Sequence, residues 1–134
     1  MIARIEIESF CHATEDEKKV LEALKNLTDA KFEKNNVVGH YGNPIKIYKV
    51  RITRKKDIND FLTLFNKIDK NILEPIEERI DEKGRFYLRL DKQSLYFGKF
   101  VIDNEGDVHI IIKIVSYPLR REKVIENAKK ILGY

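Results

Sequence analysis

Residues 2–13, IARIEIESFCHA, alternate at period two, with Ile5, Ile7, Ser9 and Cys11 on one side and Arg4, Glu6, Glu8 and Phe10 on the other. That spacing predicts a strand, because successive side chains of a strand point to opposite faces of its sheet. The same period recurs in Ile45 to Arg54, where Tyr48, Val50 and Ile52 share a side, and in Arg85 to Leu90, where Phe86, Leu88 and Leu90 do. Three strands with one apolar face each constrain the fold more than anything else in the chain. Each must bury that face against another layer and leaves a charged face open.

Segments with helical spacing supply the other layer. Val20, Leu21, Leu24 and Leu27 form one apolar stripe. Thr14 to Glu17 before it reads as a capping box, with Thr14 as N-cap and Glu17 reaching back. Ile58, Phe61, Leu62, Phe65, Ile68, Ile72 and Leu73 form a second stripe, with Asp57 as its cap and Pro75 as a kink or restart. Asp91 to Phe97 reads as a short capped helix stopped by Gly98, and Arg120 to Leu132 as a final helix along Val124, Ala128 and Ile131. A short strand near Lys31–Val38 precedes the Gly39–Pro44 turn, where Gly39 and Gly42 suit positive φ. Lys99–Ile102 and Asp107–Tyr117 flank Asp103 to Gly106, which reads as a hairpin turn. The expected order is β-α-β-β-α-β-α-β-β-α. It describes a single α+β domain over 1–134, a mostly antiparallel sheet with helices on one face.

The 134 residues suffice for one core, and a 43% hydrophobic share argues against disorder. The longest apolar runs, such as Ile110 to Ile112, fall far short of a membrane span, and the charged N-terminus lacks the apolar centre of a signal peptide. Cys11 is the single cysteine, which excludes an internal disulfide and a cysteine-rich zinc site. A cytoplasmic protein without a membrane partner is expected.

Charge is distributed in blocks. Lys46, Lys49, Arg51, Arg54, Lys55 and Lys56 fall within 45–56 with no acid among them, and further basic blocks cover 83–102 and 113–134. On the open side of the sheet the alternation places Lys49, Arg51, Arg85 and Arg89, joined by Arg4 and Lys113 and opposed by Glu6 and Glu8. Tyr87 between Arg85 and Arg89 offers a ring for stacking an unpaired base. A basic face with an aromatic on it is the electrostatic footprint of nucleic-acid binding. Lysine-rich strands also serve simply to guard sheet edges. His12 and His40 suit metal binding or acid–base chemistry by residue type. They lack a second cysteine or a spaced carboxylate pair, and Ser9, Ser94 and Ser116 lie outside any nucleophile elbow. The turn 39–44 is neither a P-loop nor a dinucleotide fingerprint, and a tight strand connection explains its glycines. The pattern calls for no catalytic residue, no metal and no cofactor.

Three stretches together carry a resemblance: FCHATED at 10–16, GHYGNPI at 39–45 and YLRLDKQ at 87–93. The chain resembles an archaeal family of RNA-binding proteins, also described as predicted exosome-associated subunits. That family is similar in fold to the large-subunit ribosomal protein that binds 5S RNA. The resemblance implies a small cytoplasmic α+β protein, sometimes dimeric. It places His12, Gly39, His40, Gly42, Asn43, Lys92 and Gln93 at family positions without giving them a role. The leading expectation is a non-enzymatic RNA-binding protein, an accessory factor in RNA processing or ribosome-related assembly. Lys49, Arg51, Arg54, Lys55, Lys56, Arg85, Arg89, Lys92, Arg120 and Arg121 would supply charge, and Tyr87 would stack. Two rivals remain. One is a protein–protein or homodimer module of an RNA-processing assembly, using Phe10, Ile111 and Val115 on the open face. The other is a small enzyme or binder of a phosphorylated ligand, using His12 or His40.

Overall fold

The structure is a computed structural model, and it describes residues 2–38, 42, 44–67 and 75–131. Strand β1 (Ile2–Cys11) leads to helix α1 (Glu17–Lys25), then β2 (Glu33–Val38), β3 (Pro44–Ile52) and α2 (Lys55–Phe65). A 3-10 turn at Ile76–Arg79 precedes β4 (Arg85–Leu90), α3 (Lys92–Tyr96), β5 (Val108–Ile114) and α4 (Arg121–Ile131). The five strands form one antiparallel sheet in the order β2-β3-β1-β5-β4. The expected α+β class and element order hold, apart from the strand expected at Lys99–Ile102. The register matches the alternation: Ile7 lies between Val50 and Ile110, and Ile112 pairs with Phe86. Their side chains, with Ile5, Tyr48, Ile52, Leu88 and Leu90, are buried under Leu24, Phe61, Phe65, Leu95 and Val124 of the helices. Asn26, at the end of α1, donates from its side-chain amide to the Leu95 carbonyl at 2.8 Å and joins α1 to α3. Asn127 donates to the Val115 carbonyl at 3.1 Å and ties α4 to the end of β5.

Three local expectations are corrected. Thr14 is not the cap of α1: a turn at His12–Glu15 intervenes, and Asp16 caps the helix by accepting from the Lys18 N–H at 3.0 Å. The Glu15 carboxylate reaches back instead, to the His12 N–H at 3.0 Å, and ends β1 two residues before Ala13. Asp57 is not the cap of α2 but sits in its first turn, one residue after Lys56, where the positive helix end favours a carboxylate. Residues 99–102 form no strand beside β5, because β1 and β4 already fill both edges of β5. The segment takes the outer edge of β4 through a single Ile102–Leu90 bridge. The turn itself is present, with the Gly106 N–H donating to the Asp103 carbonyl at 2.8 Å. Ile68, Ile72, Leu73, Gly39, His40 and Asn43 lie outside the described residues, while Gly42 has the positive φ its position called for, +79°.

Candidate nucleic-acid interface

The side of the sheet away from the helices is built in rows, one residue per strand. Glu33, Lys49, Glu8, His109 and Arg89 form one row. Arg51, Glu6, Ile111 and Tyr87 form the next, and Arg4, Lys113 and Arg85 a third. Cross-strand neighbours stand close enough for opposite charges to pair. Glu6 accepts from Arg4 at 2.9 Å and forms an ion pair with Arg51 at 3.1 Å, and Glu8 meets Lys49 at 3.3 Å. Exposed pairs of this kind contribute about 0–1 kcal/mol each, so their cations can exchange partners with a ligand. The rows line a groove of about 700 Å³ walled by Lys31 and Glu33 and floored by Glu6, Glu8, Lys49, Arg51, His109 and Ile111. Lys31 lies outside the strand alternation, because it precedes β2, and only the fold brings it to the groove that Lys49 also lines.

On β4 the expected stacking ring is partly engaged. The Arg85 guanidinium lies 5.7 Å from the centre of the Tyr87 ring, and the Tyr87 hydroxyl donates to Asp81 at 3.0 Å. Burial alone would raise the Asp81 carboxyl. The Arg85 N–H and guanidinium, the Tyr87 hydroxyl and the Lys83 N–H outweigh it and hold the group down at about 2. Arg89 donates to the Gly106 carbonyl at 2.7 Å, which fixes it beside His109. Burial first, then the Arg89 charge, lowers the His109 pKa. Phe10 stands edge-on to His109, with ring centres 6.2 Å apart, and 6.3 Å from His12.

His12 and Lys92 meet at one end of the sheet. Lys92 donates to the Phe10 carbonyl at 2.8 Å and lies 2.7 Å from Glu15 and 3.3 Å from Asp107, its side chain only 12% exposed. His12 lies 3.9 Å from each of the same carboxylates. His12, Glu15 and Asp107 have metal-ligand spacing, but the Lys92 ammonium already supplies the cation between the two acids. Lys92 thus locks β1, α1, α3 and β5 together and is not a free phosphate ligand. The start of β3 belongs to the same end, since Cys11 pairs with Lys46. Gln93 lines a separate cleft between α1 and α3. Burial, with Glu15 adding to it, pushes the Cys11 thiol up, so it is not an activated nucleophile.

The remaining expected cations divide into two groups. Arg54, Lys55 and Lys56 are exposed at the start of α2, past the end of β3, and Arg120 is exposed just before α4. Arg121 is engaged: it donates to the Ile80 carbonyl at 2.8 Å and to the Glu77 carbonyl at 2.7 Å. Lys46 belongs to the helix side, where Glu17 meets it at 2.5 Å, meets Lys34 at 2.9 Å and accepts from the Tyr48 hydroxyl. Nothing in the local sequence marks that cluster.

Residues 4–116 match the RNA-binding family. The chain belongs to this family. The RNA-binding protein PAB1135 of Pyrococcus abyssi is 38% identical, the alignment covering 96% of this chain and 92% of that one. The protein MJ0213 of Methanocaldococcus jannaschii is 33% identical over the whole of both chains. Among solved structures, a DUF54 protein of Methanothermobacter thermautotrophicus superposes with a TM-score of 0.88 at 37% identity, covering 98% of each chain. The match therefore extends over the fold as well as the sequence. In this RNA-binding family member, no described helix is long and apolar enough to cross a membrane.

Proposed function

We propose that the protein binds RNA through the open face of its sheet, as a non-catalytic cytoplasmic factor that serves RNA processing or ribosome-related assembly. The observation that carries the reading is the family match, to which the fold adds a face that no described helix covers, with Lys31, Lys49 and Arg51 around one groove. Arg4, Lys113 and Arg89 extend the charge across β1, β5 and β4, and Arg54, Lys55, Lys56 and Arg120 are further exposed cations. Phosphate contacts of this kind position a strand without reading its bases. The test is affinity for RNA against salt. It should fall linearly on logarithmic axes, as counterion release requires. No measurable binding, or binding indifferent to salt, would overturn the reading. The same RNA should remain uncut after incubation with or without divalent cations, and cleavage lost in a His12→Ala variant would establish an enzyme instead.

A second reading as a protein–protein module draws on strand β2. Every residue of β2 is exposed, including Val37 and Val38, and its outer edge is unpaired among the described residues. Unpaired edges are templates for a further strand. A concentration-dependent mass in solution, abolished by Val38→Lys, would favour that reading.

A further inference from the structure

We propose that the end of the open face nearest His12 takes unpaired nucleobases, stacked on a row formed by His12, Phe10 and His109. The inference rests on the RNA-binding reading and adds to it the class of RNA, single-stranded segments in place of duplex. Three observations carry it. First, Phe10 stands on the sheet side that no described helix covers and is only partly buried, an aromatic ring set among charged residues. Its neighbours in space are two more flat rings, His109 edge-on at 6.2 Å and His12 tilted by 37° at 6.3 Å, so three π-surfaces of different orientation cluster at this end of the face. Second, cations flank the row: Arg89 is the cross-strand partner of His109, and Lys49 lies in the same row of the sheet. The groove mixes Lys49 and Arg51 with Glu6, Glu8 and Glu33, and the exposed ion pairs of these cations can be exchanged for phosphate. Unpaired RNA uses such cations for its backbone while each base lays a π-face on a ring. Third, Tyr87 is the weaker platform. Its ring already carries the Arg85 guanidinium and its hydroxyl is held by Asp81. The lowered pKa of His109 keeps that ring neutral near neutral pH, which suits stacking. A duplex keeps its base faces stacked on one another and offers none of them to this row.

The experiment compares wild-type protein, Phe10→Leu and His109→Ala on two probes, a fluorescent unpaired oligoadenylate and a fully paired RNA duplex. Phe10→Leu keeps an apolar side chain at a half-buried site, and unfolding curves establish that both variants fold. Wild type should prefer the unpaired probe. Phe10→Leu should bind it roughly 5- to 100-fold more weakly, the range expected for losing one stacked base. The salt dependence should remain that of wild type, since no phosphate contact is removed. The ring protons of Phe10 should shift upfield in NMR spectra when oligoadenylate is added. If wild type binds RNA but Phe10→Leu binds oligoadenylate equally well, the stacking row is refuted while the RNA-binding reading stands. If wild type binds neither probe, the wider reading falls first. A wild type that is dimeric and made monomeric by Phe10→Leu would assign the row to a subunit interface and also overturn the proposal.

Discussion

Single residues determine how the strand ends and loops are joined. Gly84 has φ +80° and its carbonyl accepts from the Ile114 N–H at 2.8 Å. A Cβ there would lie 2.6 Å from the Ile114 carbonyl oxygen. Gly84→Ala should therefore cost more than the roughly 1–2 kcal/mol that a left-handed backbone imposes on an L-residue, measured as a loss in urea unfolding. Lys92 acts over a longer range, holding Glu15, Asp107 and the Phe10 carbonyl. Lys92→Met leaves these acceptors without their donor and should cost about 1–3 kcal/mol. Adding Glu15→Gln should restore part of that loss, because the two sites are directly coupled. Glu17 adds a pH dependence. Hydrogen bonds from Lys34 first, then Lys46 and Tyr48, hold its carboxyl at about 2 against an ordinary 4.5. A depressed carboxyl stabilises the fold fully above its ordinary value and loses that contribution as pH falls toward 2. Wild type should accordingly outlast Glu17→Gln in thermal unfolding near neutral pH, and the two should converge at about pH 2. An equal gap at both pH values would mean that Glu17 acts through packing.

At the scale of elements, strands were the most legible part of the chain, because burial on one face imposes a period of two on the residues themselves. Leu88 on β4 shows this: its alternation with Tyr87 and Arg89 puts it inside, and it is buried to 2% exposure. Leu88→Ala should cost about 2–5 kcal/mol. A loss within about 0.5 kcal/mol, ordinary for exposed positions, would contradict that burial. Element ends were less legible, because they depend on partners far along the chain. Glu15 ends β1 and moves the cap of α1 to Asp16 while Lys92, far along the sequence, holds its carboxylate. Residues 99–102 have the composition of a strand, yet strand pairing also needs a vacant edge, and only the assembled sheet reveals that β5 has none. The candidate interface divides in the same way. Lys49 and Arg51 were readable from alternation, whereas Lys31 enters the groove through a loop and Phe10 gains its meaning from His109 on β5 and from His12 just past the end of its own strand.

For the whole molecule the question is whether positive charge acts from one face or from everywhere. The chain carries 26 Lys and Arg against 22 Asp and Glu, so its net charge of +4 is too small to draw RNA strongly without local concentration. The sheet separates the cations into two populations. Lys31, Lys49 and Arg51 line the open groove, while Lys18, Lys19 and Lys25 belong to α1 on the opposite side. Replacing either set with Gln removes the same formal charge. If binding is a local event at the groove, the first set should reduce affinity and flatten the salt slope by roughly two units, at about 0.7 per lost contact on a single strand. Loss of Lys49 and Arg51 also leaves Glu8 and Glu6 without these partners, which should weaken binding further through repulsion of phosphate. The α1 set should leave the slope nearly unchanged. RNAs of different sequence should lose affinity to the same extent in the groove variant, since phosphate contacts carry no base information. Equal losses from the two sets would show that the protein attracts RNA with its entire surface and that the groove has no special part in binding.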